Sequence, residues 1–543
     1  MSDSAVKQGP SKQGPDRPTA SGENPGAPTG ASERRGLIEL QGIDVIDEPA
    51  RTARPRDLFM PWFAANVSVF GMSYGSFVLG FGISFWQATV VSLVGVVFSF
   101  LICGIIAIAG KRGSVPTMVL SRAAFGVDGQ KLPGALGWLT SIGWETTLTI
   151  LATLATVTIF DKVGWAHGTA VKILATVVIA GTIVAASVLG YHVIMKLQSV
   201  LTWVTGIATV IIMAITVPKI DWAAVSSLPA GSAAQMVGAL VMVMTGFGLG
   251  WTNVAADWSR YQRRSASSGS IVFWNTFGGS VAPIVLVIFG LLLSVSNKDY
   301  AGHVAGDPIG ALADLLPTWI LLPFLLVAVL SLISGAVLGI YSSGLTLLSL
   351  GVKVSRPVAA LIDGSILTAG TIFVVFFATD FLGPFQSFLI TLGVPLAAWA
   401  GIFCSDLALR RRAYDTVSLF KPNGRYGRFD WVSIITLVVS SVIGWGLVVN
   451  QFAADASWNN WQGYLLEPLG LGARVVDDQG VQSWDGSWPW ANLGVLVSLV
   501  VSFLVTLVAR RGLVRRQEST QTEADENATS ADITAELEAG ERR

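Results

Sequence analysis

Twelve long apolar segments constrain the fold of this chain more than any other feature of its sequence. Each has about 20 residues or more, the length at which an α-helix crosses the hydrocarbon core of a bilayer. A backbone in lipid must satisfy its own polar groups, so such segments cross a membrane as helices. The sequence therefore predicts an all-α integral membrane protein with twelve transmembrane helices. These predicted spans, numbered 1 to 12 in chain order, are residues 58–84, 88–110, 134–160, 170–190, 197–217, 233–257, 271–296, 318–351, 357–378, 381–403, 431–452 and 489–509.

The composition of the chain agrees with a location in the lipid bilayer. Of its 543 residues, 52% are hydrophobic and 13% are charged, which is too little charge to cover a water-soluble protein of this length. The net charge is zero and gives no sign of a nucleic-acid partner. The two cysteines, Cys103 and Cys404, lie inside apolar spans without the spacing of metal ligands, so we expect neither a metal nor another cofactor.

The distribution of lysine and arginine predicts how the spans are oriented. One set of span flanks, which includes 410–412 and 510–511, carries 23 basic residues, whereas the opposite set carries 5. Cytoplasmic loops of membrane proteins are enriched in these residues. The flanks with 23 basic residues are therefore expected in the cytoplasm, and an even number of spans places both termini on that same side. The protein is expected to be a multi-pass protein of the plasma membrane.

Five regions follow from this topology. Residues 1–50 are rich in Gly, Pro and Ser, and residues 512–543 are acidic with few large apolar side chains, so both are expected to be disordered cytoplasmic tails. Spans 1–5 occupy 51–217 and spans 6–10 occupy 233–403, and these two blocks are candidates for structural repeats. Spans 11 and 12 form the last membrane region, 431–509.

A tryptophan and a glutamate lie at an unusual depth in span 3. Ten helical residues from Gly134 place Trp144 and Glu145 about 15 Å into the membrane. Membrane tryptophans favour the headgroup region, and a carboxylate at the midplane costs about 2.5–3.5 kcal/mol on insertion scales. Such residues usually line a polar cavity, which indicates a transporter. Glu145 could accept hydrogen bonds from a ligand, carry a coupling proton, or bond a neighbouring helix.

Glycine clusters in spans 1 and 6 predict that these two helices are interrupted. Span 1 contains Gly71 and Gly75, among others, and span 6 contains Gly246, Gly248 and Gly250. Glycine is a poor helix former, and backbone groups freed by a break, here around Gly248, can hold a substrate or a cation. Interruptions at corresponding positions of two repeats indicate a transporter binding site. The alternative is that these glycines only allow close helix packing.

Two tryptophans in spans 3 and 6 suggest an aromatic ligand. Trp251 follows the glycines of span 6 and Trp144 lies in span 3, and these helices can face the same cavity. A planar heteroaromatic ring stacked on indoles gains about 0.5–1.5 kcal/mol per ring beyond the burial of its area. At the inner end of span 6, Asp257 and Arg260 could pair as a gate or as a structural ion pair.

Several segments carry a resemblance to a known family. They are WFAANVSVFGMSYG (62–75), GKRGSVPTMVLSRAAFGVDGQKLP (110–133), SIGWETT (141–147), GWTNVAADWSRYQR (250–263) and GIYSSGL (339–345). In their order and spacing, from about residue 50 to residue 510, the chain resembles the nucleobase:cation symporter-1 family, specifically its purine-cytosine permease branch. The resemblance implies a leucine-transporter-like fold with two five-helix inverted repeats and two extra helices. It also implies uptake of a nucleobase or related heterocycle with a cation by alternating access.

The resemblance also implies roles for individual residues. Trp144 and Trp251 match the aromatic residues that stack on the base, and Ser73 matches a small polar residue in the unwound part of span 1. In sodium-coupled relatives, adjacent hydroxyls of span 8 bind the ion. The aligned positions here, 329–330, are apolar, and Ser331 is one step away, which favours a proton over sodium as the coupling ion.

The chain departs from the family pattern at the positions that recognise the base. Leu148 replaces an asparagine in span 3, and Gly335 and Gly339 replace asparagines in span 8. A buried polar group of a ligand that loses its partner costs about 1–3 kcal/mol. Either Glu145 compensates for the missing amides, in a site that still includes Gly339, or the substrate differs from cytosine and adenine.

Other functions remain open at this stage. An amino-acid or osmolyte symporter of the same superfamily would share the fold, and osmolyte carriers also hold cations in aromatic boxes. A membrane enzyme or sensor is disfavoured, because the sequence contains no metal cluster, nucleophile arrangement or phosphate loop. The expected partners are a small-molecule substrate and the lipid bilayer, and the sequence predicts no particular oligomeric state.

Overall fold

The structure is a computed structural model that describes residues 42–187, 191–378, 380–450, 460–476 and 482–520. Residues 1–41 and 521–543, the larger part of both predicted tails, lie outside the described residues. The described pieces of the tails are ordered, which the sequence did not predict. Residues 511–520 form a helix, and Ile46 donates its backbone N–H to Ser114 O at 2.9 Å. The physical reason is burial, because Ile46 and Val514 pack with 7% and 1% of their surface exposed.

Nine helices among the described residues are long and apolar enough to cross a membrane, and they correspond to predicted spans 2–10. A tenth is counted if Leu493–Ala509 and Arg511–Thr520, which meet at 53°, form one bent span 12. Span 11 is the shorter helix Trp431–Trp445. The nine are Phe85–Gly113, Lys131–Val163, Thr169–Ser187, Val200–Lys219 (in a helix that begins at Tyr191), Ala233–Val254, Ser268–Ser296, Thr318–Ser349, Pro357–Phe377 and Leu382–Leu409.

Span 1 is interrupted, but not at its glycines. It consists of the helices Phe59–Asn66 and Phe70–Leu79, separated by Val67–Val69. Gly75 lies inside the second helix, where an added Cβ would meet the backbone of Gly290 in span 7 at 2.2 Å. Gly71 and Gly75 therefore serve close packing against span 7, the alternative reading of the sequence, while span 1 breaks at Val67–Val69, before both of them.

Span 6 is interrupted within its glycine cluster, as the sequence predicts. The helix Ala233–Gly246 ends at Phe247, whose φ of -121° and ψ of -116° are not helical. The chain continues as a 3-10 helix, Gly248–Val254, and a single turn, Ala256–Ser259. Gly248 is pressed against span 2: its N–H donates to Ser99 Oγ at 3.1 Å, and an added Cβ would lie 2.3 Å from that backbone.

Capping residues fix where spans 2 and 6 begin. Ser84 and Gln87 form a reciprocal capping box at the start of span 2, and Ser232 and Gln235 do so at the start of span 6. Each box satisfies two backbone N–H groups that a helix start leaves free. The Gln87 amide also donates to Gly231 O at 2.9 Å, so the two helix starts are joined.

The long helices expose apolar side chains on their outer faces. Val177 and Val210 are 65% and 66% exposed, Phe373 is 64% exposed, and Val508 is 79% exposed. A water-soluble surface would not carry so many large apolar groups together. These side chains have the composition of a lipid-facing surface, and the buried polar residues lie between the helices.

Shorter elements connect the long helices. β1 (Ala473–Val476) pairs with β2 (Gln482–Asp485) in an antiparallel hairpin. The short α-helices are Thr117–Leu120, Arg122–Phe125, Trp222–Ser227, Lys298–His303 and Pro308–Asp314. The described 3-10 turns outside span 6 are Glu48–Ala50, Pro55–Leu58, Val217–Lys219, Ser418–Phe420 and Trp488–Ala491.

A buried ionic network joins the ends of spans 10, 11 and 12. Arg410 donates to Asp406 through Nε at 2.7 Å, and Arg510 donates to the other oxygen of Asp406. Arg510 also bonds Asp430, the N-cap of span 11, at 3.1 Å. Both arginines donate to Ala123 O in the loop between spans 2 and 3. Two acids and two arginines therefore lock one end of span 10 to the last two helices.

Candidate substrate-binding site

A cavity opens where spans 1 and 6 are interrupted. Its interior leaves about 70 Å³ for the centres of water-sized molecules, within a total empty space of about 730 Å³ that includes the open mouth. Spans 3 and 8 form its other walls. Glu145 is the one charged side chain in this lining. The lining residues are Ala65, Asn66, Ser68, Phe70, Gly71, Tyr74, Ser141, Trp144, Glu145, Leu148, Gly246, Phe247, Gly250, Trp251, Val254, Gly335, Gly339 and Ser342.

Trp144 is held in the cavity wall by aromatic residues of span 10. Its ring meets Phe385 and Phe388 edge-to-face, with centroids 5.6 and 5.8 Å apart. Gly250 in span 6 approaches the indole nitrogen so closely that an added Cβ would lie 2.7 Å from it. The indole is thus fixed by spans 6 and 10 and remains half-buried, with part of its surface on the cavity.

Trp251 lines the same cavity from the 3-10 part of span 6. Its ring meets Trp62 of span 1 edge-to-face at 5.9 Å, and Trp62 in turn meets Phe100 of span 2 at 6.2 Å. The backbone carbonyl of Trp251 accepts from Cys103 Sγ at 3.9 Å. The two tryptophans that the sequence singled out therefore lie around one cavity, as predicted, although their role in binding stays a prediction.

Glu145 is buried beside Trp144, with 1% of its surface exposed. Its Cγ rests on Gly339 of span 8, where an added Cβ would come within 2.7 Å. Neither carboxyl oxygen has a hydrogen-bond partner of normal geometry in the described part of the chain. Buried polar atoms are rarely left unpaired, so this carboxyl is available to a ligand N–H donor or to a proton.

The three positions at which the resemblance leads one to expect amides lie on spans 3 and 8, and all three line the cavity. Leu148 lies three residues after Glu145 on span 3, and an added Cβ on Gly335 would meet its Cδ1 at 3.0 Å. Both residues line the cavity, as Gly339 does. Leu148 and Gly335 thus form an apolar contact in the wall, whereas Gly339 borders the Glu145 side chain.

Ser73 and Gly248, predicted at the site, are not in the cavity lining. Ser73 is fully buried, and its neighbours Gly71 and Tyr74 line the cavity instead. Gly248 packs on span 2, as described above. A rotation of about 100° per residue separates neighbours on a helix, so a shift of one position moves a side chain off the cavity.

Several polar residues of the lining were not predicted. Asn66 is the last residue before the break in span 1, Ser68 lies within the break, and Ser342 follows Gly339 by three residues in span 8. Ser141 precedes Glu145 by four residues, one helical turn, and this spacing is the signal that could have identified it. Tyr74 of span 1 donates its hydroxyl at 3.4 Å to Gly246 O, where the first helix of span 6 ends.

Asp257 and Ser331, the predicted coupling or gating residues, lie away from the cavity lining. Asp257 Oδ1 accepts from the backbone N–H and the hydroxyl of Thr117, at 2.9 and 2.7 Å. Arg260 donates to the hydroxyls of Tyr261 and Tyr341 at 3.0 and 3.4 Å. Ser331 donates to Ala328 O in its own helix at 2.9 Å. Asp257 therefore ties span 6 to the loop between spans 2 and 3.

Solved structures of one transporter share this fold. Mhp1, a nucleobase-cation-symport-1 family transporter, in a closed conformation with bromovinylhydantoin bound, has a TM-score of 0.64 at 16% identity, covering 89% of this chain and 97% of Mhp1. The inward-facing conformation of Mhp1 has a TM-score of 0.65 at 16% identity, covering 90% of this chain and 96% of that one.

Sequence relatives extend over most of the chain. The Bacillus subtilis protein YxlA, provisionally named a purine-cytosine permease, is 24% identical over 416 residues, 75% of this chain and 87% of YxlA. The purine-cytosine permease FCY21 of Saccharomyces cerevisiae is 23% identical over 495 residues, 87% of this chain and 86% of FCY21.

A family model decides the membership. The model described as permease for cytosine/purines, uracil, thiamine, allantoin matches residues 45–466, more than half of the 543 residues. This range contains the cavity and all its lining residues. The chain therefore belongs to the family of membrane permeases for cytosine and purines, uracil, thiamine and allantoin, and it is a transporter rather than an enzyme.

Proposed function

We propose that this protein imports a planar nitrogenous heterocycle of the nucleobase class together with a proton, by alternating access. The observation that carries the proposal is the cavity at the interrupted spans, in which Trp144, Trp251 and the unpaired Glu145 share one lining. Two indoles offer stacking surfaces, and a single buried carboxyl offers recognition. An aliphatic amino acid would use neither indole face, which is why the heterocycle is preferred to an amino acid or osmolyte.

The chemistry of the lining favours a substrate rich in N–H donors. An ionised carboxylate accepts hydrogen bonds and donates none, so Glu145 would bind an edge that carries N–H groups. Asn66, Ser141 and Ser342 can supply further donors and acceptors nearby. The apolar surface at Leu148 gives no partner to an exocyclic group that pointed toward it. Recognition would therefore run through Glu145 rather than through the amides of relatives.

Glu145 is also the residue we propose for proton coupling. A carboxylate inside a membrane protein is costly unless it is paired or protonated, and Glu145 has no partner of normal geometry. If a proton accompanies the substrate, it would neutralise this carboxyl during the passage. Ser331, the hydroxyl nearest the sodium-site positions, is engaged within its own helix, which supports the preference for a proton over sodium.

The twelve-span topology belongs to the same proposal. The matched interruptions of spans 1 and 6 support two five-helix inverted repeats, and spans 11 and 12 are the two extra helices, packed on span 10. The excess of basic flanks supports cytoplasmic termini in the plasma membrane.

Thermal-shift screening of the purified protein, followed by transport in liposomes, tests the proposal. The panel contains uracil, cytosine, adenine, hydantoin, allantoin, amino acids and betaines, with and without sodium. We expect stabilisation by a heterocycle, accumulation of that ligand driven by an inward pH gradient, and loss of this drive in Glu145→Gln. Stabilisation by amino acids or betaines alone would overturn the substrate class, and uptake driven only by sodium would overturn the proton.

A further inference from the structure

A second buried carboxyl, Asp363, lies beside the cavity in span 9. Its side chain is fully buried and joins two other spans. Asp363 Oδ1 accepts from Trp138 Nε1 of span 3 at 2.8 Å, and Oδ2 accepts from Ser343 Oγ of span 8 at 2.7 Å. An acid buried within a membrane span is costly. Here two hydrogen-bond donors from different helices stabilise it.

Helical spacing connects Asp363 to Glu145. On span 3, Trp138 and Glu145 are seven residues apart, two turns along one face. On span 8, Gly339 and Ser343 are four residues apart, one turn along one face. Glu145 rests on Gly339, and Trp138 and Ser343 both bond Asp363. The two carboxyls are therefore offset along the same groove between spans 3 and 8, with Ser343 between them.

The Ser343 hydroxyl bonds one acid and lies one helical turn from the residue that the other acid contacts. It donates to Asp363 Oδ2 at 2.7 Å, and Gly339, on which Glu145 rests, is four residues before it on span 8. A hydroxyl has one proton and two acceptor lone pairs. With the proton committed to Asp363, the lone pairs remain to accept a proton from Glu145.

In the part of the chain that the structure describes, no basic side chain forms an ion pair with Glu145 or Asp363. Span 9 packs on spans 3, 4 and 8. Span 3 presents Trp138 and Glu145 to Asp363, and span 8 presents Ser343. Span 4 contacts span 9 through Val184, which lies against Gly364. The one charged residue in the described part of span 4 is Lys172, which is twelve residues away from Val184 in the sequence. Two like charges so placed are disfavoured, so the pair is suited to hold one proton.

We propose that Asp363 is a second proton site, which receives the coupling proton from Glu145 through the Ser343 hydroxyl. The Glu145 O–H bond breaks and its proton bonds to Ser343 Oγ, while the proton already on Ser343 passes to Asp363 Oδ2. Glu145 is left as a carboxylate, Ser343 stays neutral, and Asp363 becomes the acid. This inference rests on the proposed function, because it assumes that Glu145 carries the proton.

The transfer gives the proton a route separate from that of the substrate. Asp363 lies seven residues after Arg356, where the span 9 helix begins, or about 10 Å along the axis. In the proposed orientation that end is cytoplasmic. The proton would leave toward the cytoplasm along spans 3, 8 and 9, while the substrate leaves between the interrupted spans 1 and 6.

Two transport measurements on the full chain in liposomes separate coupling from binding. Exchange of labelled for unlabelled uracil, cytosine or adenine, whichever the wild type carries, needs no net proton movement. Net accumulation under an inward gradient of one pH unit needs the proton to be released, and with one proton per substrate it reaches about tenfold. A pH-sensitive dye inside the liposomes records the accompanying protons.

Ser343→Ala and Asp363→Asn are the deciding variants. Both are expected to exchange substrate at close to the wild-type rate, to accumulate none above equilibrium, and to give no substrate-dependent dye signal. Ser365→Ala, which removes an exposed hydroxyl of span 9 that bonds only Leu361 O in its own helix, is the matched control and should accumulate normally.

The possible failures are distinguishable. Glu145→Gln that still accumulates substrate with protons would overturn the proposed function. Loss of coupling in Glu145→Gln with normal accumulation in Ser343→Ala and Asp363→Asn would overturn the proton route alone. If Asp363→Asn fails to fold, Ser343→Ala decides, since it keeps both carboxyls. If a folded Ser343→Ala loses both exchange and accumulation, these residues act in substrate binding or structure. That result would also overturn the proton route.

Discussion

The indole nitrogen of Trp144 lies 2.7 Å from the point where a Cβ atom on Gly250 would be. Glycine at 250 is thus what allows span 6 to approach span 3 at the cavity. Phe385 and Phe388 hold the same indole from span 10. The orientation of this ring depends on contacts from two other spans, so a change that does not touch the substrate can still misplace it.

Gly250→Ala is expected to weaken substrate binding while the protein stays folded. The added methyl must displace the Trp144 ring, and a displacement of about 1 Å at a positioned group can cost about 100-fold in function. The ligand found by thermal shift would be titrated by calorimetry against both proteins. Gly181→Ala is the control, because nothing lies within 4 Å of an added Cβ there. Equal affinities of Gly250→Ala and the wild type would remove this contact from the site.

Leu148→Asn is expected to improve binding of cytosine or adenine. Leu148 lines the cavity against Gly335, so an amide at 148 would face the substrate rather than a packed core. A net hydrogen bond contributes about 0.5–1.5 kcal/mol, or about 2- to 12-fold in affinity. Leu148→Met conserves the volume without adding a donor and should bring no gain. No improvement for either base with the asparagine would show that the base edge does not face residue 148.

Gly75→Ala is expected to lower stability rather than to act on binding alone. An added Cβ would lie 2.2 Å from the backbone of Gly290, which cannot rotate away as a side chain could. Overpacking of this kind typically costs about 1–3 kcal/mol. The apparent melting temperature in detergent should fall, whereas Gly206→Ala, which has open space around an added Cβ, should leave it unchanged. A wild-type melting temperature for Gly75→Ala would contradict the close packing of spans 1 and 7.

Much of the site could be predicted from the sequence because a membrane makes polar groups costly. Trp144, Glu145 and Trp251 are conspicuous within apolar segments, and all three line one cavity. The break in span 1 was expected for the wrong reason. Glycine is a weak helix former by about 1 kcal/mol, but Gly75 stays helical because it lets span 7 approach, and the chain opens at Val67–Val69 instead.

The rotation of each helix was not predictable to one residue. Ser73 and Tyr74 differ by one position, yet only Tyr74 lines the cavity. Local sequence does not fix that angle, because it depends on which helices pack on either side. Asp363 is a similar case: its donors, Trp138 and Ser343, come from spans 225 and 20 residues away in sequence. Only the assembled bundle brings them together.

Arg510→Met is expected to destabilise the protein strongly. Arg510 and Asp406 are each 1% exposed, and removal of one partner leaves an uncompensated buried charge, which costs about 3–5 kcal/mol. Lys162→Met, which breaks the half-exposed pair between Lys162 and Asp314, is the control and should cost at most about 1 kcal/mol. The measurement is the apparent melting temperature of each variant in the same detergent.

A second substitution distinguishes lost charge balance from lost packing. Asp430→Asn, added to Arg510→Met, removes one negative charge and keeps an oxygen that can cap span 11 at Ser433. If unbalanced charge causes the loss, the double variant should melt at a higher temperature than Arg510→Met alone, because the network would again be neutral. A further decrease would mean that the arginine acts through the bonds it makes to Ala123 O and Asp430, and that the charge itself contributes little.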